Sequence, residues 1–280
     1  MEGQETPYLI KTVWLLKKYK LKEGIMSYLE KLFSLKGKTA LVTGGGRGIG
    51  QAVAEGLAQA GAEIAIVSRS GADETVANIK KAGGKAYSLI ADVTKENEVD
   101  AALSEIISRS GALHIVFNNA GICIHKDTFK ASIAEFRKVI DINLTGEYIV
   151  ARAAGKLMQE KGIKGSIINM ASMSGSIVNV PQWQASYNAS KAAVIHMTRS
   201  LAVEWAPYGI RVNSLSPGYI ATPMSVDTPQ ELKDTWMPLI PARRMGDPEE
   251  LIGAVIYLAA DSSGYTNGSD LIVDGAYVCQ

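Results

Sequence analysis

From residue 36 onward, short apolar runs alternate with longer stretches in which apolar residues recur every three or four positions. The runs at 39–43, 63–68, 85–90, 114–118, 165–170, 211–216 and 269–273 are rich in β-branched residues and flanked by glycine or polar residues. Strands covered by helices on both faces have this composition, because neither face meets water. Between the runs, 49–60, 74–82, 96–108 and 136–161 carry helical periodicity. This alternation predicts right-handed crossovers and a single doubly wound α/β domain with a seven-stranded parallel sheet. No linker or low-complexity segment interrupts residues 36–280, which are predicted to be one domain.

Residues 1–35 form a separate extension, helical or flexible. Leu9, Val13 and Leu16 share a helical face, and five lysines lie among residues 11–22. A membrane-surface or partner helix has this pattern, and so does a plain surface helix or an extension ahead of a domain opening at Met26. The plain reading is preferred, since such segments are common. The segment lacks the arginines and the small-residue cleavage site of a targeting peptide.

Composition narrows the classes further. A chain of 280 residues with 47% hydrophobic content has ample material for one core. A net charge of +1 gives no electrostatic case for nucleic acid. No apolar run reaches the roughly 20 residues of a membrane span. Cys123 and Cys279 are far apart, and His114, His125 and His196 are scattered, so neither a disulfide framework nor a metal site is expected. The chain reads as cytoplasmic.

Chemistry enters at the end of the first strand, in Thr43-Gly44-Gly45-Gly46-Arg47-Gly48-Ile49-Gly50. The glycines let backbone approach a pyrophosphate closely, and the helix that follows offers free N–H groups and a partial positive charge. The spacing is T-G-x-x-x-G-x-G rather than G-x-G-x-x-G, but its place in a βαβ unit is that of a dinucleotide site. Gly44, Gly46, Arg47, Gly48, Ile49 and Gly50 are the candidate contacts. The tip of the second strand, Ser68-Arg69-Ser70, holds no carboxylate to accept from ribose hydroxyls. With Arg47 beside it, this tip suits a 2′-phosphate gripped by guanidinium, so NADP(H) is expected in preference to NAD(H).

The sharpest signal is Tyr187-Asn188-Ala189-Ser190-Lys191. At i and i+4, phenol and ammonium share one helical face. A free phenol titrates near pH 10 and becomes a useful base only when a nearby cation stabilises the phenolate. Ser174, thirteen residues earlier, follows a strand and can hydrogen-bond the reacting oxygen.

With the nucleotide loop, this set resembles the short-chain dehydrogenase/reductase family over about residues 36–275. Further family-like motifs are Asn118-Asn119-Ala120-Gly121, Asp92-Val93, Asn143 in a helix and Pro217-Gly218. The resemblance implies a Rossmann-type fold in which Tyr187 is the acid/base. Lys191 would lower the Tyr187 pKa and hold the nicotinamide ribose. Ser174 would orient the substrate oxygen, and Asn143 would support a water leading to Lys191. It also implies cofactor contacts from Asp92, Val93, Asn119, Ala120, Gly121, Pro217, Gly218, Ile220 and Thr222.

The loops at the strand C-termini hold amides and hydroxyls among apolar residues, as a polyhydroxylated ligand requires. Ser174, Ser176, Gln184 and Tyr187 are the candidate substrate contacts. The stretches 180–187, 265–270 and 274–277 resemble the sugar-alcohol branch: sorbose, xylulose and mannitol reductases and gluconate dehydrogenases. A 3-oxoacyl carrier-protein reductase or a hydroxysteroid dehydrogenase would share the catalytic motifs. A non-catalytic NADP(H)-binding scaffold would break the Ser-Tyr-Lys set, which is intact. Apolar excess around 151–161 and 192–205, with an uncharged C-terminus, leads to the expectation of a homotetramer.

Overall fold

The computed structural model describes residues 26–226 and 230–280; the predicted amphipathic face at Leu9, Val13 and Leu16 lies outside them. The strands are β1 (Thr39–Thr43), β2 (Glu63–Ser68), β3 (Ala86–Ile90), β4 (Ile115–Asn118), β5 (Ser166–Met170), β6 (Arg211–Pro217) and β7 (Asp270–Val273). They form one sheet in the order β3-β2-β1-β4-β5-β6-β7, with every pairing parallel. The helices are α1 (Met26–Phe33), α2 (Gly48–Gln59), α3 (Asp73–Lys81), α4 (Glu96–Ser110), α5 (Ile133–Ile140), α6 (Glu147–Glu160), α7 (Ala185–Trp205), α8 (Pro223–Val226), α9 (Gln230–Trp236) and α10 (Ile252–Ala259). Each predicted strand is present, with ends moved by at most one residue.

Successive strand side chains point to opposite faces, and both faces are covered. On one face Ile64 and Ile66 of β2 join Val53 and Leu57 of α2, Ile79 of α3 and Leu258 of α10. On the other, Ala65 and Val67 join Leu103 and Ile106 of α4, Val150 and Met158 of α6 and Leu201 of α7. Double coverage is why the strands read as unbroken apolar runs. Leu35 is fully buried in the first layer, and its N–H donates to the Ala60 carbonyl at 2.8 Å. The helix α1 that precedes it lies against the turn at 261–263.

The long helix predicted at 136–161 is not continuous. A capping box at Ser132 and Glu135 starts α5, and a six-residue π-helical turn, Asp141–Gly146, separates it from α6. Asn143 sits in that turn, fully buried. Its Oδ1 accepts from the Ile122 N–H at 2.8 Å, and its Nδ2 donates to the Ile122 carbonyl at 2.8 Å and Ser190 Oγ at 3.2 Å. Wide turns inside helices often mark functional segments. Here the turn aims an amide sideways, tying the loop after β4 to α7.

Strand order reverses between β1 and β4, so the chain leaves their C-terminal ends in opposite directions and a crevice opens there. Thr43 closes the floor of that crevice. Its Oγ1 accepts from the Asn119 N–H at 2.9 Å and the Ala120 N–H at 3.0 Å, while Asn119 Nδ2 donates to the Thr43 carbonyl at 3.0 Å. Replacing Thr43→Val keeps the shape and removes the acceptor of two N–H groups. Stability is expected to fall by about 1–3 kcal/mol, the cost of stranding buried donors. An unchanged urea midpoint would show that other contacts hold this junction.

Candidate active site

Above the crevice lies a groove of about 630 Å³. The turn after β1 supplies Gly44, Gly46, Arg47, Gly48, Ile49 and Gly50 to its wall. Gly44 and Gly48 have φ of +67° and +57°, left-handed values that disfavour a side chain. A Cβ on Gly50 would collide with the Gly44 carbonyl oxygen. Arg47, the residue before α2, makes no side-chain cap bond, so the first N–H groups of α2 lack that partner at the groove. Bare backbone donors at a helix start, with no Cβ in front of them, fit a pyrophosphate.

Ser68, Arg69 and Ser70 at the β2 tip, Asp92 and Val93 after β3, and Asn119, Ala120 and Gly121 after β4 line the same groove. Ser68 Oγ donates to the Gly71 carbonyl at 2.8 Å, which shapes the tip. Arg47 and Arg69 are both exposed there. Asp92 Oδ1 accepts from the Thr94 N–H at 2.9 Å and Thr94 Oγ1 at 2.8 Å. The Thr94 backbone bond, helped by the Thr94 hydroxyl and the charges of Arg69 and Lys95, holds this carboxyl below its ordinary value. The β2 tip and the neighbouring Arg47 together fit an adenosine carrying a 2′-phosphate, with two guanidinium groups and no carboxylate at the tip.

A second cavity of about 430 Å³ continues from the groove; Ile49, Asn119, Gly121, Ile122 and Thr222 line both. Ser174, Gln184, Tyr187, Lys191, Pro217, Gly218 and Ile220 line the second cavity. The structure thus gathers onto two adjoining walls residues that the sequence separates by up to 178 positions, from Gly44 to Thr222. Two candidates lie elsewhere. Ser176 is exposed and outside the cavity lining, because the short helical turn Met173–Gly175 carries the chain outward after Ser174. Asn143 is also outside the lining, with both amide atoms engaged by Ile122 and Ser190.

Tyr187 and Lys191 stand one turn apart on α7, with Lys191 Nζ 5.9 Å from the centre of the phenol ring. Ser174 Oγ accepts from Gln184 Nε2 at 3.2 Å. Gln184 Nε2 also faces Asn179 Oδ1 and Asn188 Oδ1, each at 2.9 Å, and its Oε1 accepts from Gln182 Nε2 at 2.9 Å. Tyr219 donates to Gln182 Oε1 at 3.2 Å and stacks on Trp236 with ring centres 4.4 Å apart. The outer wall is therefore an amide and hydroxyl lattice backed by aromatic rings.

The electrostatics contain a residue that the sequence reading missed. Lys191 Nζ donates to the Met170 carbonyl at 2.5 Å and to Glu147 Oε1 at 3.1 Å. Both side chains of this ion pair are almost wholly buried. Burial pushes the Glu147 carboxyl up to about 7, against the pull of Lys191. The Tyr187 phenol lies above its ordinary value. Burial is the main cause, Lys191 opposes it, and the charge of Glu147 adds to the rise. The expected lowering by Lys191 is present but outweighed by desolvation. Burial also raises the Cys123 thiol to about 12 and lowers His125, so both face the cavity as neutral groups. The one signal for Glu147 was a carboxylate directly ahead of the apolar run Tyr148-Ile149-Val150.

Comparisons with known proteins agree with this geometry. The family model described as enoyl-(acyl carrier protein) reductase matches residues 44–277. A sorbose reductase of Candida albicans is 45% identical over 253 residues, covering 89% of each chain. An NADP-dependent mannitol dehydrogenase of Alternaria alternata is 40% identical over 255 residues, 89% of this chain and 95% of that one. The crystal structure of a short-chain type dehydrogenase/reductase from Mycobacterium marinum superposes with a TM-score of 0.86 at 43% identity, covering 89% and 99% of the two chains.

The groove generates its own test. Arg69→Asp is expected to weaken NADPH and strengthen NADH, since a carboxylate repels a 2′-phosphate and accepts from a free ribose hydroxyl. Fluorescence titration with both nucleotides measures the ratio of dissociation constants. An unaltered ratio would mean that Arg69 serves only the solvent-facing surface.

Proposed function

Because the chain belongs to the short-chain dehydrogenase/reductase family, we propose that it interconverts a ketone and a secondary alcohol on a ketose, polyol or related sugar acid with NADP(H). The observation that carries this reading is the continuity of the two cavities. A groove with the donors for a dinucleotide opens directly onto a wall holding Ser174, Tyr187 and Lys191. NADP(H), when bound, supplies or takes up the hydride.

The chain's own residues handle the proton and the positioning. In reduction, the Tyr187 hydroxyl donates its proton to the substrate oxygen; in oxidation the phenolate takes it back. The Lys191 ammonium stabilises that phenolate and reaches the nicotinamide ribose. Ser174 Oγ lies 3.2 Å from Gln184 Nε2, and its hydroxyl hydrogen can rotate toward the substrate oxygen. Asn143 fixes Ile122 and the start of α7, and its Oδ1 has a second lone pair to support a water leading to Lys191. Gly44, Gly46, Gly48 and Gly50 give the pyrophosphate access to the α2 N-terminus, with Ile49 beside it. Arg47, Ser68, Arg69 and Ser70 receive the 2′-phosphate. Asp92 and Val93 meet the adenine. Asn119, Ala120, Gly121, Pro217, Gly218, Ile220 and Thr222 border the nicotinamide half.

The substrate class rests on the outer wall. Asn179, Gln182, Gln184 and His125 offer several hydrogen-bonding groups in a small space, as a chain of hydroxyls demands. The names of the Candida and Alternaria relatives point the same way. We further propose a homotetramer in the cytoplasm. Exposed apolar side chains at Phe129, Ile133, Phe136, Tyr148 and Val203 support the assembly, and two cysteines outside any disulfide suit a reducing compartment. Among the described residues, no helix is long and apolar enough to cross a membrane.

A panel of sorbose, fructose, gluconate, a steroid ketone and an acetoacetyl thioester, read by nicotinamide absorbance, tests the reading. A ketohexose or sugar acid is expected to give the highest kcat/KM; a thioester or steroid in first place would overturn the substrate class. Tyr187→Phe is expected to lose about 10²–10⁴-fold in kcat, the usual share of an acid–base group, while still binding NADPH. Near-normal turnover in that variant would refute the assigned proton path. Assembly is checked by light scattering at micromolar protein, where a mass near 29.9 kDa would exclude the tetramer.

A further inference from the structure

The ion pair behind the proposed acid–base residues is unusual in its composition. Glu147 opens α6 directly after the π-helical turn, and its backbone carbonyl accepts from Asn118 Nδ2 at 2.7 Å. Its side chain is 1% exposed. Oε1 meets Lys191 Nζ, but Oε2 is buried with no hydrogen-bond partner among the described residues. An orphaned carboxylate oxygen in a core is costly, and an apolar residue of like size would pack there without that cost. Fold stability alone does not account for Glu147. Its one charged contact is the lysine on which the phenol depends.

We infer that Glu147 is a positioning residue that neutralises the Lys191 ammonium from behind and so holds the Tyr187–Lys191 pair in its proton-donating, carbonyl-reducing state. The argument rests on the proposed roles of Tyr187 and Lys191. A lone ammonium beside a phenol favours the phenolate, which is the form that oxidises an alcohol. A carboxylate 3.1 Å behind that ammonium cancels much of its field at the phenol, and the proton stays on Tyr187. The titratable or charged groups facing the pair are Glu147 on α6, Lys191 and Tyr187 on α7, and Cys123 on the loop after β4. Cys123 stays a neutral thiol, since burial raises it to about 12. Glu147 alone is left to oppose Lys191, and it carries its charge above about pH 7.

Glu147→Gln keeps the volume and the Oε1 acceptor but removes the charge, so Tyr187 should ionise at lower pH. With NADPH and sorbose, the descending limb of kcat/KM is expected to move down by roughly one pH unit or more, the size of shift that a neighbouring charge imposes. With NADP⁺ and mannitol, the ascending limb should move the same way. A second readout needs no turnover: phenolate absorbance of the full chain, taken as the difference from the matching Tyr187→Phe protein, should appear at lower pH in the Gln variant. Glu147→Asp, which retains the charge, should lie nearer the unmodified protein. NADPH binding within about threefold shows that a variant is folded. If Glu147→Gln fails that check, Glu147→Met is expected to show the same downward shift. If neither variant folds, Glu147→Asp decides: its carboxylate is set back by one methylene from Lys191, so its phenolate should appear at a pH somewhat below that of the unmodified protein, and coincident phenolate curves overturn the inference. Coincident pH profiles with Tyr187-dependent turnover would sink the role of Glu147 alone. Turnover that survives Tyr187→Phe would instead sink the underlying mechanism.

Discussion

The reversal of strand order between β1 and β4 is the constraint on which the site depends. Everywhere else a crossover helix runs over the strand ends it connects. At this one point the connections leave in opposite directions, so the turn after β1 and the loop after β4 lie side by side at the crevice, with Thr222 and Pro223 beside them. The backbone groups at those ends must still be satisfied. Thr43 and Asn119 do so for each other, through the hydroxyl of one and the amide of the other. Because the strands below are buried on both faces, the crevice has a rigid floor. Glycines in the turn after β1 then leave the α2 N-terminus open at its mouth.

A second layer of constraint transmits position from this floor to α7. Asn118 at the end of β4 donates to the Glu147 carbonyl, Asn143 grips both backbone atoms of Ile122, and the same amide reaches Ser190. Ser190 in turn donates to the Tyr187 carbonyl at 2.7 Å. The π-helical turn exists to make this geometry, since a continuous α-helix would place Asn143 differently with respect to its neighbours. Three asparagines, Asn118, Asn143 and Asn169, are fully buried along this path, and each finds a partner. Such a network stiffens the wall carrying Tyr187 and Lys191, because losing any one bond strands another buried group.

The site then divides its work by environment. The groove is lined by bare backbone N–H groups and exposed guanidinium groups, which suits anionic phosphates. The inner cavity is lined by neutral amides, hydroxyls and a thiol, with its single buried cation balanced by a buried carboxylate. Protons are therefore the mobile charge in the inner cavity, and a small change in the balance behind Lys191 alters which form of Tyr187 prevails.

Much of this was legible in the chain itself. Seven β-branched runs separated by helical periodicity determined the doubly wound sheet, because burial on both faces imposes short continuous apolar runs on the strands between helices. The glycine turn, the missing carboxylate at Ser68-Arg69-Ser70 and the Tyr187–Lys191 spacing are local patterns, fixed by a backbone conformation or by one turn of helix, and local patterns survive in sequence. Three features do not have that property. The break at 141–146 comes from Asn143 finding Ile122, a residue 21 positions away. Ser176 looks equivalent to Ser174 in sequence, yet a single turn of backbone carries it to the surface. Glu147 reads as an ordinary helix-start carboxylate, and its burial against Lys191 depends on how α6 and α7 pack across β4 and β5. Periodicity reports which face of an element is buried, whereas only the packed structure decides which polar group that face will meet.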